Sequence, residues 1–481
     1  MKDFNKFIKL FTQFLCLASI DIAAFYVSLL ISWILRAVVI PYFFADLPFF
    51  HFSFLYFVSL WWVPAVFIFF IFYEALYDKN LPFWDETKYI VRAVSLASIA
   101  LMAIVTLGKM SDMVSRIVLL GIWINSLFIF PLFRLWGKHF LHRRGICVER
   151  VLIIGAGNAG KLVLTGLHRE KHMGYDVAGF LDDDENKIGQ IIYGKKVFGK
   201  ISEFPEIIKK FGIETVIIAI PSLPAEKLSA ITAEVQNSAV NTMVIPDLKG
   251  IALLNTDLFH LFTEELFLMH IRNNLKSLTN RFIKRLFDIA ASILLLPVLL
   301  PMVGIISLLI KLGTPGYAIY AHNRIGEGGR LFKCYKFRTM YLDAEEKLQE
   351  LLTRDEAMRA EWEANWKLKD DPRVTSIGKF LRKTSLDELP QIFNVLKGEM
   401  SLVGPRPYLP REKDDIADNI SMITSAKPGI TGLWQVSGRS ETGYRYRIKL
   451  DTWYVMNWSL WLDIVIILKT IKVVIKAEGA Y

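Results

Sequence analysis

Residues 288–313 read DIAASILLLPVLLPMVGIISLLIKLG, an apolar run longer than the roughly 20 residues that a helix needs to cross a bilayer. Lysines and arginines stand on both sides of it, so the positive-inside rule holds both of its ends on the cytoplasmic side. Pro297, Pro301 and Gly304 interrupt its middle, where a proline removes a helix hydrogen bond and bends the axis. We therefore predict a re-entrant helix over about residues 286–311, with a kinked spanning helix as the open alternative. The flanking cations are Arg281, Lys284, Arg285, Lys311, Arg324, Arg330, Lys333, Lys336 and Arg338.

The whole chain is apolar and basic. Of its 481 residues 53% are hydrophobic and the formal net charge is +10, which is too apolar for an ordinary cytosolic enzyme of this length. Long hydrophobic runs dominate before about residue 137, whereas 148–280 and 312–455 have the mixed composition of soluble domains. The three cysteines match neither a metal-binding pattern nor a disulfide framework, which indicates a reducing compartment.

Four hydrophobic runs in the first part of the chain are each long enough to span a bilayer. Cations precede the first run, lie in the second connection and follow the fourth run, whereas AVVIPYFFADLPFFHF between the first two runs has none. Both ends of this bundle are therefore predicted to be cytoplasmic. Asp21 lies inside the first run, where an acid either marks a pathway or has a structural role between helices. The predicted spans are roughly 11–35, 50–73, 89–108 and 114–135.

The region from 148 to 250 alternates apolar strands with amphipathic segments, which predicts an open, parallel α/β sheet. Its GAGNAG run places three glycines between a strand and a helix, as in a Rossmann fold, and Asp182 falls at the end of the next strand, where that fold places its ribose acid. The glycines are also needed for the turn and for helix packing, so nucleotide binding stays open. The loop residues concerned are Gly155, Gly157, Gly160 and Asp182.

Beyond residue 312 the chain is rich in short motifs that combine arginine, lysine, glycine and proline: RIGEGGRLFKCYKFRTM, DPRVTSIGKFLRKTSLDELPQ, GEMSLVGPRPYLP and AKPGITGLWQVSGR. A site for a diphosphate needs fixed cations and close backbone approach, which arginine and glycine supply. A basic surface held against anionic lipid is the alternative. The placement of the arginines in loops, with acids among them, favours a site.

Asp387 and Glu388 are adjacent carboxylates within KTSLDELPQ. Ser385 and Glu388 have the spacing of a capping box, which would explain the acids as an ordinary helix start. If the helix instead begins with Pro390 at its first position, both carboxylates lie just before it and can converge on one point. Such a pair suits Mg²⁺ and a carboxylate nucleophile that forms an acyl phosphate.

The order of membrane helices, Rossmann-like domain, proline-broken helix and charged motifs resembles the large monotopic polyprenyl-phosphate glycosyl-1-phosphate transferases, and among them most the bacterial undecaprenyl-phosphate galactose phosphotransferases. The resemblance implies a multi-pass protein of the bacterial inner membrane with its catalytic domain on the cytoplasmic face. It implies a membrane α-helical bundle, an α/β Rossmann-like domain and an α/β transferase domain with a re-entrant membrane helix. These domains are predicted over residues 1–147, 148–275 and 276–481.

The resemblance also implies the reaction: transfer of a sugar 1-phosphate from a UDP-sugar to undecaprenyl phosphate with release of UMP, at the start of O-antigen, capsule or exopolysaccharide synthesis. Asp387 matches the family nucleophile, Glu388 its Mg²⁺-binding partner, and Asp451 a further acid near the metal. The family often has Ser-Pro at the break of the re-entrant helix, where this chain has Leu300-Pro301, so Pro297 is expected to share the break. The motif cations expected around the phosphates are Lys336, Arg338, Arg373, Arg406 and Arg439.

The expected partners are a UDP-sugar, undecaprenyl phosphate, membrane lipid and a second copy of the chain in a homodimer. Nucleic acid is not expected among them. Galactose is the predicted sugar from overall likeness, with glucose or an N-acetylated hexosamine open, because a few pocket contacts decide between such epimers. A membrane-anchored NAD-dependent nucleotide-sugar dehydratase is the alternative function, although residues 150–250 contain no Tyr-x-x-x-Lys pair.

Overall fold

The protein is described by a computed structural model, in which the chain forms two units, Met1–Lys249 and Gly250–Tyr481. The first unit contains both the helical bundle and the parallel sheet, so the predicted boundary between those two domains stays a prediction. The structure describes residues 2–44, 50–110, 114–238, 241–247, 256–261, 266–271, 273–365, 368, 371–416, 419–438 and 443–476.

Four helices of the described residues are long and apolar enough to cross a membrane. Three of them lie in the N-terminal bundle and agree with predicted spans. The predicted span 50–73 is wrong as a single helix, because it consists of the two helices Phe54–Ser59 and Trp62–Tyr73. The backbone leaves the helical conformation at Leu60, with φ −81° and ψ +62°, and Pro64 follows in the first turn of the second helix, where a proline is tolerated. The four long helices are Ile8–Phe43, Phe83–Leu107, Arg116–Arg143 and Leu278–Gly313.

Asp21 is part of a buried network of charges in the first unit. The guanidinium of Arg134 donates to both oxygens of Asp21 at 2.8 and 2.6 Å and to Glu86 at 3.2 Å. Lys138 donates to Glu86 at 2.8 Å, and His172 also contacts Glu86. These contacts favour the structural interpretation of Asp21, because a buried carboxylate is tolerated when it is paired and hydrogen-bonded.

The predicted parallel α/β sheet is confirmed. Its first strand lies between the second and third, the fourth flanks the third, and all neighbours are parallel. Val151 and Ile153 face one side of the sheet, and Leu152 and Ile154 face the other, because successive side chains of a strand alternate. Strands Glu149–Ile154, Tyr175–Leu181, Thr215–Ile218 and Asn241–Val244 are accompanied by helices Asn158–Arg169, Phe204–Phe211 and Ala225–Ser238.

The helix Leu278–Gly313 opens the helical part of the second unit. It contains Pro297 and Pro301 and stays helical through both, so the predicted break is not confirmed and the re-entrant course stays a prediction. The hairpin strands Ile319–Ile325 and Leu331–Phe337 follow, and the short strands Ser401–Val403 and Gly429–Thr431 pair in parallel. The remaining elements are the hairpin Thr256–Leu261 with Leu266–Ile271, and the helices Ala344–Arg354, Glu356–Asn365, Ser376–Thr384, Gln391–Lys397, Lys413–Ile416, Ile420–Ile423, Leu433–Val436, Tyr444–Met456 and Leu460–Lys476.

Candidate active site

The two acids lie on a short turn between helices. Ser385 has φ +57° and ends the preceding helix, and residues Leu386–Glu388 form one 3₁₀ turn. Pro390 then caps the helix Gln391–Lys397. The side chain of Ser385 makes no capping hydrogen bond, so the capping-box interpretation is wrong. The prediction that a helix begins at Pro390, just after the acids, is confirmed to within one residue.

Lys336 brings the two carboxylates together. It lies on the strand Leu331–Phe337, and its Nζ is 2.6 Å from Glu388 Oε1 and 3.8 Å from Asp387 Oδ2. The side chains of Asp387 and Glu388 remain 16% and 27% exposed, so a ligand can reach both. The acids therefore converge on one point, and Lys336, predicted as a phosphate ligand, is the cation at that point.

Their surroundings move the pKa values of the two acids in opposite directions. Burial raises the pKa of Asp387 to about 6, against the lowering effect of Lys336 and together with the charge of Glu388. Burial also opposes ionisation of Glu388, but Lys336, Arg406 and Arg324 outweigh it and hold the pKa of Glu388 below its ordinary value. Two neighbouring carboxyl groups with separated pKa values are typical of different roles in one site.

Two of the predicted phosphate ligands are committed to partners within the protein. Arg338 donates to the carbonyls of Pro315 at 2.7 Å and Thr314 at 2.9 Å, just after the long apolar helix. Arg373 forms two hydrogen bonds of 2.8 Å with Asp371. Their contacts support a structural role. Arg439, the last predicted cation, lies outside the described residues.

Asp451 holds the backbone of the loop that carries Arg406. Its Oδ2 accepts from the Arg406 N–H at 3.1 Å and from the Tyr408 hydroxyl at 2.7 Å. Burial raises the pKa of Asp451 to about 7, although both hydrogen bonds work against this shift. Its other oxygen, Oδ1, is buried and has no hydrogen-bond partner among the described residues. The prediction that Asp451 lies near a metal stays a prediction.

The acids fit a magnesium ion by their chemistry. No group of three or more His, Cys, Asp or Glu side chains with metal-binding geometry occurs in the described part of the chain. Mg²⁺ does not require one, because it binds through one or two carboxylates together with substrate phosphate oxygens and water. Glu388, ionised and partly exposed, and Asp387 beside it provide such oxygens.

The structure adds residues that the motifs did not single out. The guanidinium groups of Arg406 and Arg447 lie 5.5 and 5.1 Å from the centre of the Trp434 ring. Arg324 is close enough to Glu388 to lower its pKa. Arg324 and Trp434 stand inside motifs quoted above, so their positions were visible in the sequence. Arg447 belongs to the helix Tyr444–Met456, and only the fold places it against Trp434.

The glycine loop of the first unit has structural uses for its residues. Gly155 has φ +103°, and a Cβ on Gly160 would lie 2.0 Å from the Gly155 carbonyl oxygen. Asp182, predicted to bind a ribose, follows the next strand and accepts a 2.7 Å hydrogen bond from the N–H of Ala156 in the glycine loop. Gly157 caps the following helix. Nucleotide binding stays a prediction, and these contacts do not favour the dehydratase alternative.

Comparison with known proteins shows which family the chain resembles. The family described as bacterial sugar transferase matches residues 279–477, and the family described as CoA-binding domain matches residues 81–246. The chain is 41% identical to undecaprenyl-phosphate galactose phosphotransferase of Salmonella typhimurium over 84% of each protein. It is 38% identical to UDP-galactose-lipid carrier transferase of Erwinia amylovora, again over 84% of each.

A more distant relative carries another sugar in its name. The chain is 29% identical to UDP-glucose:undecaprenyl-phosphate glucose-1-phosphate transferase of Escherichia coli, over 70% of this chain and 69% of that one. The extent and identity of these matches decide the assignment. The protein belongs to the bacterial sugar transferase family and is an undecaprenyl-phosphate sugar phosphotransferase, most like those that transfer galactose phosphate.

Proposed function

We propose that the protein transfers galactose 1-phosphate from UDP-galactose to undecaprenyl phosphate and releases UMP, through a covalent phosphosugar on Asp387. The observation that supports this most is the convergence of Asp387 and Glu388 on Lys336, with their pKa values separated. Galactose is supported by the names of the two relatives that match most of the chain. The reaction would begin the synthesis of an O-antigen, capsule or exopolysaccharide.

The proposed first step is attack by an oxygen of Asp387 on the β-phosphorus of the UDP-sugar. The bond from this phosphorus to the bridging oxygen breaks, and its electron pair leaves with UMP, so that an acyl phosphate carrying the sugar remains. In the second step an oxygen of undecaprenyl phosphate attacks the same phosphorus and the Asp387 carboxylate leaves. Lys336 supplies positive charge next to the attacking oxygen, 3.8 Å from Oδ2.

Glu388 is the proposed protein ligand of Mg²⁺. The ion, when bound, neutralises charge on the diphosphate of the substrate. Without positive charge at this place, the carboxylate of Asp387 would be repelled by the anionic donor. The lowered pKa of Glu388 keeps this side chain ionised and able to bind a cation while Asp387 titrates near pH 6.

The proposed function is tested with membranes or purified protein, a panel of UDP-sugars and undecaprenyl phosphate. UMP release and a lipid-linked diphosphate product should appear with UDP-galactose and more weakly with UDP-glucose or N-acetylated hexosamine donors. Turnover with another donor alone would overturn the galactose assignment. Absence of turnover with every UDP-sugar would overturn the proposed reaction.

The activity should depend on pH through Asp387. Because the nucleophile must be deprotonated, kcat/KM for the UDP-sugar should fall as the pH drops through about 6. Lys336→Met removes a cation that lowers the pKa of Asp387, so this loss should begin at higher pH. The control is Lys333→Met, an exposed lysine on the same strand. If kcat/KM of Lys336→Met falls over the same pH range as in the wild type, Lys336 does not lower the pKa of Asp387.

Removal of magnesium should stop UMP release, and Glu388→Gln should require a higher Mg²⁺ concentration for half-maximal rate. The amide is a weaker ligand than the carboxylate because it carries no charge, so we expect a rise of about tenfold or more. The measurement is a Mg²⁺ titration of UMP release after chelation. Glu350→Gln, at an exposed glutamate, is the matched control. An identical titration curve for Glu388→Gln would rule out Glu388 as the metal ligand.

We further propose that the helix Leu278–Gly313 is re-entrant and leaves the transferase domain on the cytoplasmic face. The cations on both sides of the helix support this course. Leu278 and Tyr317, 80% and 87% exposed, are suitable positions for single cysteines in a chain without its native ones. A membrane-impermeant maleimide should label both from the same side of sealed vesicles. Labelling from opposite sides would establish a spanning helix.

A further inference from the structure

Several buried hydrogen-bond donors without partners gather around Arg406. They are Nε of Arg324, Nε of Arg406, Nε1 of Trp434 and the hydroxyl of Tyr444, none of which has a hydrogen-bond partner among the described residues. A donor buried without an acceptor is costly, so proteins rarely leave several together without a ligand. All four groups donate, which points to a ligand rich in acceptor oxygens.

The same place concentrates positive charge. Arg406 and Arg447 both lie over the ring of Trp434, at 5.5 and 5.1 Å from its centre. Burial lowers the pKa of Arg324 and of Arg447, and the charge of Arg406 lowers both further. The charge of Glu412 acts in the opposite sense on the pKa of both arginines, and an anion bound among the three guanidinium groups would likewise favour their charged forms.

Tyr444 completes the cluster as a neutral donor. Burial, with the acids Glu412 and Asp415, raises the pKa of Tyr444 to about 12, so its hydroxyl keeps its proton at physiological pH. The cluster also borders the two catalytic acids, because the charges of Arg406 and Arg324 both lower the pKa of Glu388. A ligand held here would therefore lie next to Asp387 and Glu388.

We propose that Arg324, Arg406 and Arg447, with Trp434 and Tyr444, form a pocket that binds the phosphate of a substrate of the transfer reaction. The inference deepens the proposed function and depends on it for the identity of the substrate. The chemistry is that of a phosphate monoester or diphosphate, which both the nucleotide and the polyprenyl phosphate contain.

Binding of pyrophosphate and of UMP to the purified full-length protein tests the pocket without turnover. Arg447→Gln should weaken binding of at least one of them by about tenfold or more, as expected for loss of a charged partner of a phosphate. Arg445→Gln, an exposed arginine on the same helix, should leave both affinities unchanged. Tyr444→Phe, which removes only one oxygen, should weaken binding by a smaller factor and guards against misfolding of the arginine variant.

Steady-state kinetics then identify which substrate the pocket holds. A higher KM for the UDP-sugar with weaker inhibition by UMP in Arg447→Gln assigns the nucleotide phosphate. A higher KM for undecaprenyl phosphate alone assigns the lipid phosphate, and either result supports the pocket. Affinities and both KM values within about twofold of the wild type, in Arg447→Gln and Tyr444→Phe that melt normally, would overturn it.

The two proposals fail in different ways. A wild-type protein that binds pyrophosphate through Arg447 but turns over no UDP-sugar would overturn the proposed reaction and keep the pocket. A wild-type protein that turns over UDP-galactose while Arg447→Gln binds and reacts normally would overturn the pocket and keep the reaction.

Discussion

Asp387→Asn is expected to abolish transfer, with a loss of at least about 1,000-fold in kcat, because an amide cannot attack phosphorus to form the acyl phosphate. Asparagine has the same shape as aspartate and can keep the position of Asp387 next to Lys336, 3.8 Å away, so folding should be preserved. Rapid acid quenching with a radiolabelled UDP-sugar should trap a labelled protein in the wild type and none in the variant.

The matched control is Asp414→Asn, at an exposed aspartate of the same unit, which should label and turn over like the wild type. UMP release in the absence of undecaprenyl phosphate is the second measurement, since only the first step can occur there. Undiminished UMP release by Asp387→Asn would refute Asp387 as the nucleophile. Release without any trapped label in the wild type would refute the covalent intermediate.

Lys284→Met should destabilise the second unit by about 3–5 kcal/mol, because it leaves a buried carboxylate without its charge partner. Lys284 donates to Asp463 at 2.6 Å, and Asp463 also accepts from Tyr454 at 2.7 Å and from Trp458 at 3.0 Å. Lys284 and Asp463 are both buried. Lys284 belongs to the helix Leu278–Gly313 and Asp463 to the helix Leu460–Lys476. Thermal unfolding in detergent micelles measures the effect.

Lys311→Met, an exposed lysine of the same helix, should melt like the wild type. The pair Lys284→Met with Asp463→Asn should recover part of the loss, because the asparagine carries no charge and its amide oxygen can still accept from Tyr454 and Trp458. A single Lys284→Met that melts within about 1 kcal/mol of the wild type would contradict the importance of this ion pair. Lys284 also donates to the Val403 carbonyl at 3.0 Å, so the variant should additionally disturb the loop of Arg406.

Leu60 and Ser385 show where local sequence patterns failed. The apolar run 50–73 predicts one spanning helix by length and hydropathy, yet the backbone leaves the helical conformation at Leu60 and a second helix begins at Trp62. Ser385 and Glu388 have capping-box spacing, yet Ser385 adopts φ +57° at the end of one helix and its side chain caps nothing. Spacing identifies candidates for such contacts, whereas the path of the backbone decides whether they form.

The arginines show the same limit at the site. Arg338 and Arg373 stand in motifs that match the transferase family, and this resemblance predicts phosphate ligands for both. Their guanidinium groups are instead paired with a helix end and with Asp371. Arg447 has no such motif around it and was missed, although it stacks on Trp434 in the fold.

The sequence by itself determined the membrane helices by composition, the parallel sheet by periodicity and the acidic pair before Pro390 by local backbone chemistry. These features depend on neighbouring residues, so a linear pattern contains them. Only the tertiary structure decided that Lys336 lies between Asp387 and Glu388, and that Arg406 and Arg447 both lie over the ring of Trp434. Residues from separate elements meet there, and both the pKa of a carboxyl group and the partner of a guanidinium depend on those distant neighbours.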